Sequence, residues 1–486
     1  MSHGKNFSEP IIGMRKKRLA AVLAALIWQP AFAATLTVDT NDGGSASHAC
    51  SLRDAVSAIN LQIIVPGSTC GRGDGNDDTI RFAPGIELIT FTASNGNYSA
   101  LNVNRAMTID GNAPPGSGRP AVTLARANQP GVFFRVINAT APLVLRGIAV
   151  QGGAARSPGL GGGIRAIDLT LYDSAVNDSA TYGVDDGVTS GGGIYASSVR
   201  LFNSTVSGNL AKSGGSNVEG KGGGIAANNV YLKQSVVSGN TAYGGDPEEY
   251  DYDYPASKGG GIFAGTLTTI RSTISGNTLS GASVATNYST GAGVYATTAT
   301  FIDSTVSGNI GVNARDGAGI AAVSLDLFFS TVTDNHTLPA GKGTGAILVG
   351  SEYAGGSATI TGSLIFGNET ADVTSYFHST ATGDHNIVGR STGMVSMPGD
   401  TRSCDPKLGP LDSNGGQTRT HGLLKGSCAI DAGPISTDPG GGFPPLTTDQ
   451  RDNGYSRKVG AAPDIGAFEK QGDNDPDVIF DDGFDP

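Results

Sequence analysis

Charged side chains and tryptophan are scarce in this chain of 486 residues, while glycine is abundant. Only 15% of the residues are charged, and there is a single Trp. The 74 Gly residues argue against a helical protein, because each Gly inside a helix costs about 1 kcal/mol relative to Ala. They show no collagen-like period. The composition therefore favours a protein built from strands and turns.

The N-terminus has the pattern of an export signal. A basic stretch from Arg15 to Arg18 precedes an apolar run from Leu19 to Trp28 and a small-residue end at Ala33. This pattern predicts a signal peptide over residues 1–33, with Met14 as an alternative start. Because the run is short for a bilayer, we expect no transmembrane segment after cleavage. The rest of the chain carries 27 Lys and Arg against 42 Asp and Glu, which disfavours nucleic acid as a partner.

Cysteine is rare, and its four copies form two local pairs, Cys50 with Cys70 and Cys404 with Cys428. An exported chain meets an oxidising compartment, where such pairs become disulfides. A metal site would need Cys-x-x-Cys spacing or a nearby His, which these pairs lack. We therefore predict two disulfides that each close a short loop.

An internal repeat dominates the middle of the chain. A Gly-x-Gly-aliphatic element is followed after 13 residues by a Ser-Thr-Val-Ser-Gly-Asn-like element in six copies. The copies begin at Gly161, Gly191, Gly222, Gly259, Gly291 and Gly317. Apolar residues alternate with variable ones, as in strands with one buried face. Several short strands per repeat predict a parallel β-helix, in which like residues stack from coil to coil.

The repeat also predicts two details of the coils. An Asn recurs at the end of the second element, and stacked amides of this kind form hydrogen-bonded ladders. The length of the copies changes only between this Asn and the next Gly, so the long loops 210–221, 241–258 and 278–290 should leave one corner of the solenoid. The Asn column is Asn209, Asn240, Asn277, Asn309, Asn335 and Asn368.

A short amphipathic helix is expected before the first coils. Ser51 to Asp54 forms a capping-box start, and Leu52, Val56 and Ile59 fall on one helical face. The segment CSLRDAV from Cys50, followed by GDGNDDTI from Gly73, resembles the CSLREA segment of bacterial exported β-helix proteins. This helix would cap the open N-terminal end of the solenoid.

The C-terminal third carries a second resemblance. DPKLGPL from Asp405, SCAIDAG from Ser427, TDQR from Thr448 and DIGAFE from Asp464 resemble the choice-of-anchor Q domain. The central repeats are similar to pectin-lyase-like solenoids and polymorphic outer-membrane proteins. The resemblance implies an all-β fold, the right-handed parallel β-helix, together with export and surface display. It does not imply a reaction.

These observations divide the chain into a signal peptide, 1–33; an N-terminal cap with the first coils, 34–110; β-helix repeats, 111–370; a choice-of-anchor Q-like region, 371–470; and an acidic tail, 471–486. The tail is interpreted as a sorting motif or as a segment that docks on the last coil. For the whole protein we expect an exported, non-enzymatic adhesin or binding scaffold at the cell surface or outside the cell. The alternative is a polysaccharide lyase or another carbohydrate-active enzyme.

Candidate ligand-binding residues follow the buried aliphatic column. Tyr195, Phe263 and Tyr295 should point outward, where their faces can stack on sugar rings, although packing beneath the long loops is an equally open interpretation. Arg271 is a further candidate, and it should neighbour Asp303 on the next coil. We interpret Arg271 and Asp303 as a surface ion pair. The alternative is that Arg271 is the catalytic base of a lyase. The expected partner is a polysaccharide or another cell-surface ligand.

One loop is unusually acidic for this chain and is the candidate metal site. Clustered carboxylates there provide the oxygen ligands that Ca²⁺ prefers, whereas a solvated acidic loop is the alternative. No other cofactor is expected. The residues concerned are Asp246, Glu248, Glu249, Asp251 and Asp253.

Overall fold

The chain winds into a solenoid of parallel strands. In this computed structural model the described residues are 33–44, 48–75, 77–95, 98–156, 159–183, 189–214, 219–244, 257–280, 289–312, 317–338, 345–351, 355–368, 371–392 and 404–472. Successive coils place their strands beside one another in long parallel sheets. Parallel connections of this kind are right-handed, and the fold is a right-handed parallel β-helix, as the sequence predicted.

Sheet A is the widest sheet and contains the nine-residue strands of the repeats. Its main path runs through Thr35–Val38, Asp78–Phe82, Met107–Asp110, Leu143–Arg146, Ile164–Tyr172, Ile194–Phe202, Ile225–Lys233, Ile262–Ile270, Val294–Ile302, Ile320–Phe328, Ile347–Val349 and Val373–Ser375. Four further strands join it at Ser99–Val103, Arg135–Ala139, Ser357–Thr361 and Thr380–Thr382.

Three narrower sheets complete the coils. Sheet B contains Leu88–Phe91, Val122–Arg126, Ile148–Gln151, Ala175–Asn177, Thr205–Ser207, Val236–Ser238, Thr273–Ser275, Thr305–Ser307, Thr331–Thr333, Leu364–Ile365 and Ile387–Val388. Sheet C contains Ala154–Arg156, Ala180–Tyr182, Leu210–Lys212, Thr241–Tyr243, Thr278–Ser280, Ile310–Val312 and His336–Leu338. Sheet D contains Gly159–Leu160, Thr189–Ser190 and Gly220–Lys221. An antiparallel pair, Leu408–Asp412 with Thr420–Leu423, follows the solenoid.

The variable loops leave the solenoid at one corner. In the repeats the chain passes from sheet A through sheet B to sheet C and then returns to sheet A. The three sheet D strands lie on this return, before Gly161, Gly191 and Gly222. The long loops all fall between the sheet C strand and the return, where Lys221, Lys258 and Thr290 are bridged in parallel. We call this place the loop corner. The prediction that length variation enters at one corner is confirmed.

The Gly and Asn columns are coupled across each coil. The Asn209 amide donates to Oδ1 of Asn240 at 2.9 Å, and Asn240 donates to Asn277 at the same distance. The predicted Asn ladder is thereby confirmed. A Cβ on Gly224 would lie 2.9 Å from the Asn240 amide carbon, closer than side chains tolerate. Gly at this position therefore leaves room for the ladder.

A second ladder lines the turn between sheets A and B. The backbone N–H of Ser204 donates to Oγ of Ser235 at 3.2 Å, while Oγ of Ser204 donates to the Phe202 carbonyl at 2.8 Å. The residue before each Ser adopts a left-handed conformation with φ between 45° and 51°. We call this place the turn corner; its residues are Asp173, Asn203, Gln234, Arg271, Asp303 and Phe329.

A helix closes the N-terminal end. Helix α1, Leu52–Leu61, begins at the N-cap Ser51, whose Oγ accepts from the Asp54 N–H at 3.1 Å. The helix buries Leu52, Val56 and Ile59 against the first coils, and Cys50 is bonded to Cys70. The predicted cap and disulfide are confirmed. No helix in the described part of the chain is long and apolar enough to cross a bilayer.

Residues 404–472, which we call the C-terminal segment, lie along the outer face of sheet B. Thr273 donates to the Arg419 carbonyl at 2.7 Å, and Thr305 donates to Gln450 at 2.6 Å. Cys404 and Cys428 form the second predicted disulfide inside the segment. The segment also reaches the edge of sheet A, where Pro434 and Phe443 line a cleft together with Ile302 and Phe328.

Candidate binding surface

The predicted aromatic residues form a column along the first outward position of sheet A. Phe263 and Tyr295 are half-buried in adjacent coils, with ring centroids 5.5 Å apart and planes inclined by 5°. Tyr195 belongs to the same column, but Ala226 separates it from Phe263. Tyr195 is thus two coils away from Phe263, about 10 Å. Phe263 therefore stacks on Tyr295 at the loop corner.

Two lysines that the sequence reasoning missed complete this surface. The Lys221 ammonium lies 5.5 Å from the Phe263 ring centroid, and the Lys258 ammonium lies 5.5 Å from that of Tyr295. Glu219 pairs with both lysines, at 3.5 Å in the case of Lys258. Among the described side chains, one carboxylate therefore faces two ammonium groups. Cations over aromatic faces are attracted by the ring quadrupole.

A signal for these lysines exists in the sequence. Lys221 and Lys258 each stand directly before the first Gly of a repeat. Only two of the six copies have a basic residue at this position, so the repeat pattern does not mark it as a basic column. Their relation to the rings comes from the fold, because each Lys contacts the aromatic residue of the following coil.

A second aromatic row follows the other edge of sheet A. The Tyr172 and Phe202 rings stack with centroids 4.8 Å apart, and the Arg146 guanidinium lies 4.0 Å from the Tyr172 centroid. Tyr231 lies opposite Arg200 in the register, and its ring centroid is 5.7 Å from that of Phe202. Burial raises the pKa of the Tyr231 hydroxyl. The face between the two rows carries a column of small polar side chains, Ser198, Asn229, Thr266 and Thr298, and a second column that includes Arg200 and Tyr231.

The prediction for Arg271 needs correction. Its pairing with Asp303 is present, with Nε 3.7 Å from Oδ2, but the pair is not on the surface. The Arg271 side chain is 14% exposed and contacts Asp452 of the C-terminal segment, and Asp303 is fully buried. Arg271 also lies eight residues along an extended strand from Phe263, about 26 Å. It is part of the attachment of the C-terminal segment and is separate from the aromatic column.

That attachment is a network of buried ions. Arg457 is 3.0 Å or less from carboxylates of both Asp303 and Glu469, and all three side chains are at most 1% exposed. Arg451 pairs with Asp449 at 2.8 Å in the same interior. Burial raises the pKa of Asp303 to about 7 and the pKa of Glu469 to about 7. The sequence did not predict this network, because Asp303 is 154 residues away from its partner Arg457 in the chain.

The predicted calcium loop lies outside the described residues, since Asp246, Glu248, Glu249, Asp251 and Asp253 fall between residues 245 and 256. Within the described ranges no group of three His, Cys, Asp or Glu side chains is arranged to hold a metal ion. Calcium binding stays a prediction. So does the sorting role of the tail, most of which falls in residues 473–486.

Comparison with known proteins adds little to these observations. No protein-family model and no curated protein matches the chain. Among solved structures, pectate lyase Pel9A aligns with 90% of this chain and 98% of its own chain, at 13% sequence identity and a TM-score of 0.33. The fold assignment rests on the strand pairing of this chain.

Proposed function

We propose that this protein is an exported, non-enzymatic binding scaffold that holds a polysaccharide at its loop corner, on the cell surface or outside the cell. The observation that carries the proposal is the stacked pair Phe263 and Tyr295 with Lys221 and Lys258 above the rings. Flat aromatic faces pack against the apolar faces of sugars, and ammonium groups donate to sugar hydroxyls or carboxylates.

The position of the pair supports the same proposal. Loops of variable length on one side of a solenoid are a common place for ligand binding. Among the described residues, the C-terminal segment is hydrogen-bonded to sheet B, on another side of the coils from the loop corner. Export is supported by the basic and apolar N-terminus and by the two disulfides, which persist in oxidising compartments.

A binding experiment tests the proposal directly. The full chain, exported and purified, would be titrated by calorimetry with neutral and acidic oligosaccharides. We expect Phe263→Ala and Tyr295→Ala each to weaken binding about three- to tenfold, the usual contribution of an aromatic contact. Phe377→Ala is the matched control, because Phe377 is 67% exposed and lies outside the column. Equal melting temperatures would show that the variants remain folded, and unchanged affinity in the column variants would contradict the proposal.

The enzymatic alternative has its own measurement. Incubation with acidic polysaccharides, with and without Ca²⁺, would be followed by the absorbance of unsaturated uronides. We expect no increase in either condition. A sustained increase that depends on protein concentration would identify a polysaccharide lyase and overturn the non-enzymatic scaffold.

A further inference from the structure

A second cleft lies on the outer face of sheet C, away from the column described above. Its volume is about 440 Å³, and its described lining consists of Phe133, Arg156, Tyr182, Gly183, Lys212, Ser213 and Gly214. This lining contains two cations and no carboxylate, on a protein whose net charge is −11. Among the described lining residues, both charged side chains are therefore cations.

Strand register explains the order of its side chains. Arg156, Tyr182, Lys212 and Tyr243 occupy the same position of four successive sheet C strands. Cations and aromatic rings thus alternate along the solenoid axis. Arg156 and Lys212 are exposed, whereas the two Tyr side chains are half-buried. The two cations are two coils apart, about 10 Å between their strands.

Neighbouring contacts hold these groups in place. The Arg156 guanidinium lies 5.2 Å from the Phe133 centroid, and the Phe133 and Tyr182 rings meet edge to face at 5.8 Å. Arg126 supports the segment that carries Phe133, because it donates to the carbonyls of Val132 and Gly152 at 3.0 and 2.6 Å. These contacts within the protein therefore preorganise the aromatic side chains of the cleft for a ligand.

One buried polar group in the lining has no partner. Ser213 is 3% exposed, and within the described residues its Oγ has no hydrogen-bond partner. Buried hydroxyls are normally hydrogen-bonded, since an unmade hydrogen bond is unfavourable. A ligand hydroxyl or acidic group in the cleft would satisfy it.

We propose that the sheet C cleft binds an acidic polysaccharide whose carboxylate or sulfate groups recur on alternate sugars. The acidic groups pair with Arg156 and Lys212, and the sugar between them packs on Tyr182. The two-coil separation of the cations is comparable with the length of a disaccharide in an extended chain. This inference rests on the proposed polysaccharide-binding function and adds the charge pattern of the ligand.

Three oligosaccharides of equal length test the charge pattern on the full chain. Hyaluronan oligomers carry a uronate on alternate sugars, oligogalacturonate carries one on every sugar, and maltodextrin is neutral. We expect hyaluronan to bind at least tenfold more tightly than maltodextrin and several-fold more tightly than oligogalacturonate. Binding should weaken from 50 to 500 mM NaCl, because salt screens the ion pairs. Equal affinity for oligogalacturonate and hyaluronan would overturn the proposal.

The double variant Arg156→Gln/Lys212→Gln tests the site. We expect at least a tenfold loss of hyaluronan affinity, because two charge-assisted contacts are removed. Arg119→Gln/Lys425→Gln is the matched control, since it removes the same charge from two exposed positions outside the cleft and should leave the affinity unchanged. Melting temperatures of both variants would establish that they are folded. An affinity insensitive to Arg156→Gln/Lys212→Gln would overturn the proposal.

The outcomes separate this inference from the proposed function. If the wild type binds none of the three oligosaccharides, the proposed function itself fails. If Phe263→Ala and Tyr295→Ala weaken hyaluronan binding but Arg156→Gln/Lys212→Gln leaves it unchanged, only the sheet C inference fails. Tighter binding of single-stranded DNA than of hyaluronan would also overturn it, because cationic and aromatic grooves of this kind accommodate nucleic acid as well.

Discussion

The repeated coils and the C-terminal segment are held together by different kinds of interaction. In the coils, neutral contacts recur at each step: an amide ladder, a serine ladder and a buried aliphatic column that includes Ile194, Ile225 and Ile262. The C-terminal segment is attached to those coils at the turn corner by buried ions centred on Arg457. Loss of one rung leaves the neighbouring rungs in place, whereas loss of one ion leaves its partners buried without their counter-ion. We therefore expect the coils to tolerate single substitutions better than the attachment of the C-terminal segment does.

The largest effect is expected from Arg457→Met. Removal of the guanidinium leaves Asp303 and Glu469 buried without their cation, which costs about 3 to 5 kcal/mol. The free energy of unfolding from urea titration would measure this, and limited proteolysis would show whether the C-terminal segment detaches. Arg81→Met is the control, because Arg81 is 55% exposed and pairs with Asp110 at 3.5 Å. Equal losses in the two variants would remove the distinction between buried and exposed ions.

The second effect concerns pH. Burial raises the pKa of Asp303 and of Glu469 to about 7, so the folded state holds protons that the unfolded state releases. The resulting stabilisation is complete below the ordinary carboxyl pKa near 4 and is lost as the pH rises through about 7. Summed over the two carboxyl groups, we expect the free energy of unfolding to fall by on the order of 5 kcal/mol between pH 5 and pH 8.

Urea midpoints at several pH values would check this slope. The variant Asp303→Asn/Glu469→Gln should give a flatter profile, since neither replacement titrates in this range. Asp168→Asn, at a partly exposed position, should retain the wild-type slope. A wild-type midpoint that stays constant or rises with pH would contradict the prediction.

A smaller effect is expected within the amide ladder. Asn277→Ala leaves the backbone N–H and the amide of Asn240 without their acceptor, and the cost of such buried groups is about 2 kcal/mol. Thermal and urea unfolding would measure it, with Thr266→Ala as the control at an exposed position of the same coil. A loss as large as that of Arg457→Met would show that the ladder is no more tolerant than the ion network.

The smallest effect is expected for the ion pair between Arg200 and Asp168 on adjacent coils. Its atoms are 2.8 Å apart, but both side chains are more than a third exposed. Exposed pairs contribute only about 0 to 1 kcal/mol and are screened by salt. A double-mutant cycle with Arg200→Gln and Asp168→Asn at low and high NaCl would measure the coupling. A coupling above this range at high salt would be inconsistent with the exposed geometry.

The path of the repeats was predictable because it depends on local, periodic features. The spacing of Gly222 and Ser235 in one copy recurs in the others, and identical spacing allows the coils to stack in register. The Asn ladder, the loop corner, helix α1 and both disulfides followed from the same reading. The aromatic column could be located as well, but the cations above it could not.

The shape of the coil follows from local sequence, because each repeat contains its own strand pattern, its turn residues and the Gly that makes room for the neighbouring Asn. What covers each side of that coil depends on the packing of segments that are distant in the chain. Asp303 and Arg457 are 154 residues apart, and Lys221 meets Phe263 only because one coil rests on the next. A linear pattern specifies which residues alternate and repeat, whereas contacts between distant segments depend on the relative placement of whole surfaces. For this reason Arg271, predicted at the surface, lies beneath the C-terminal segment.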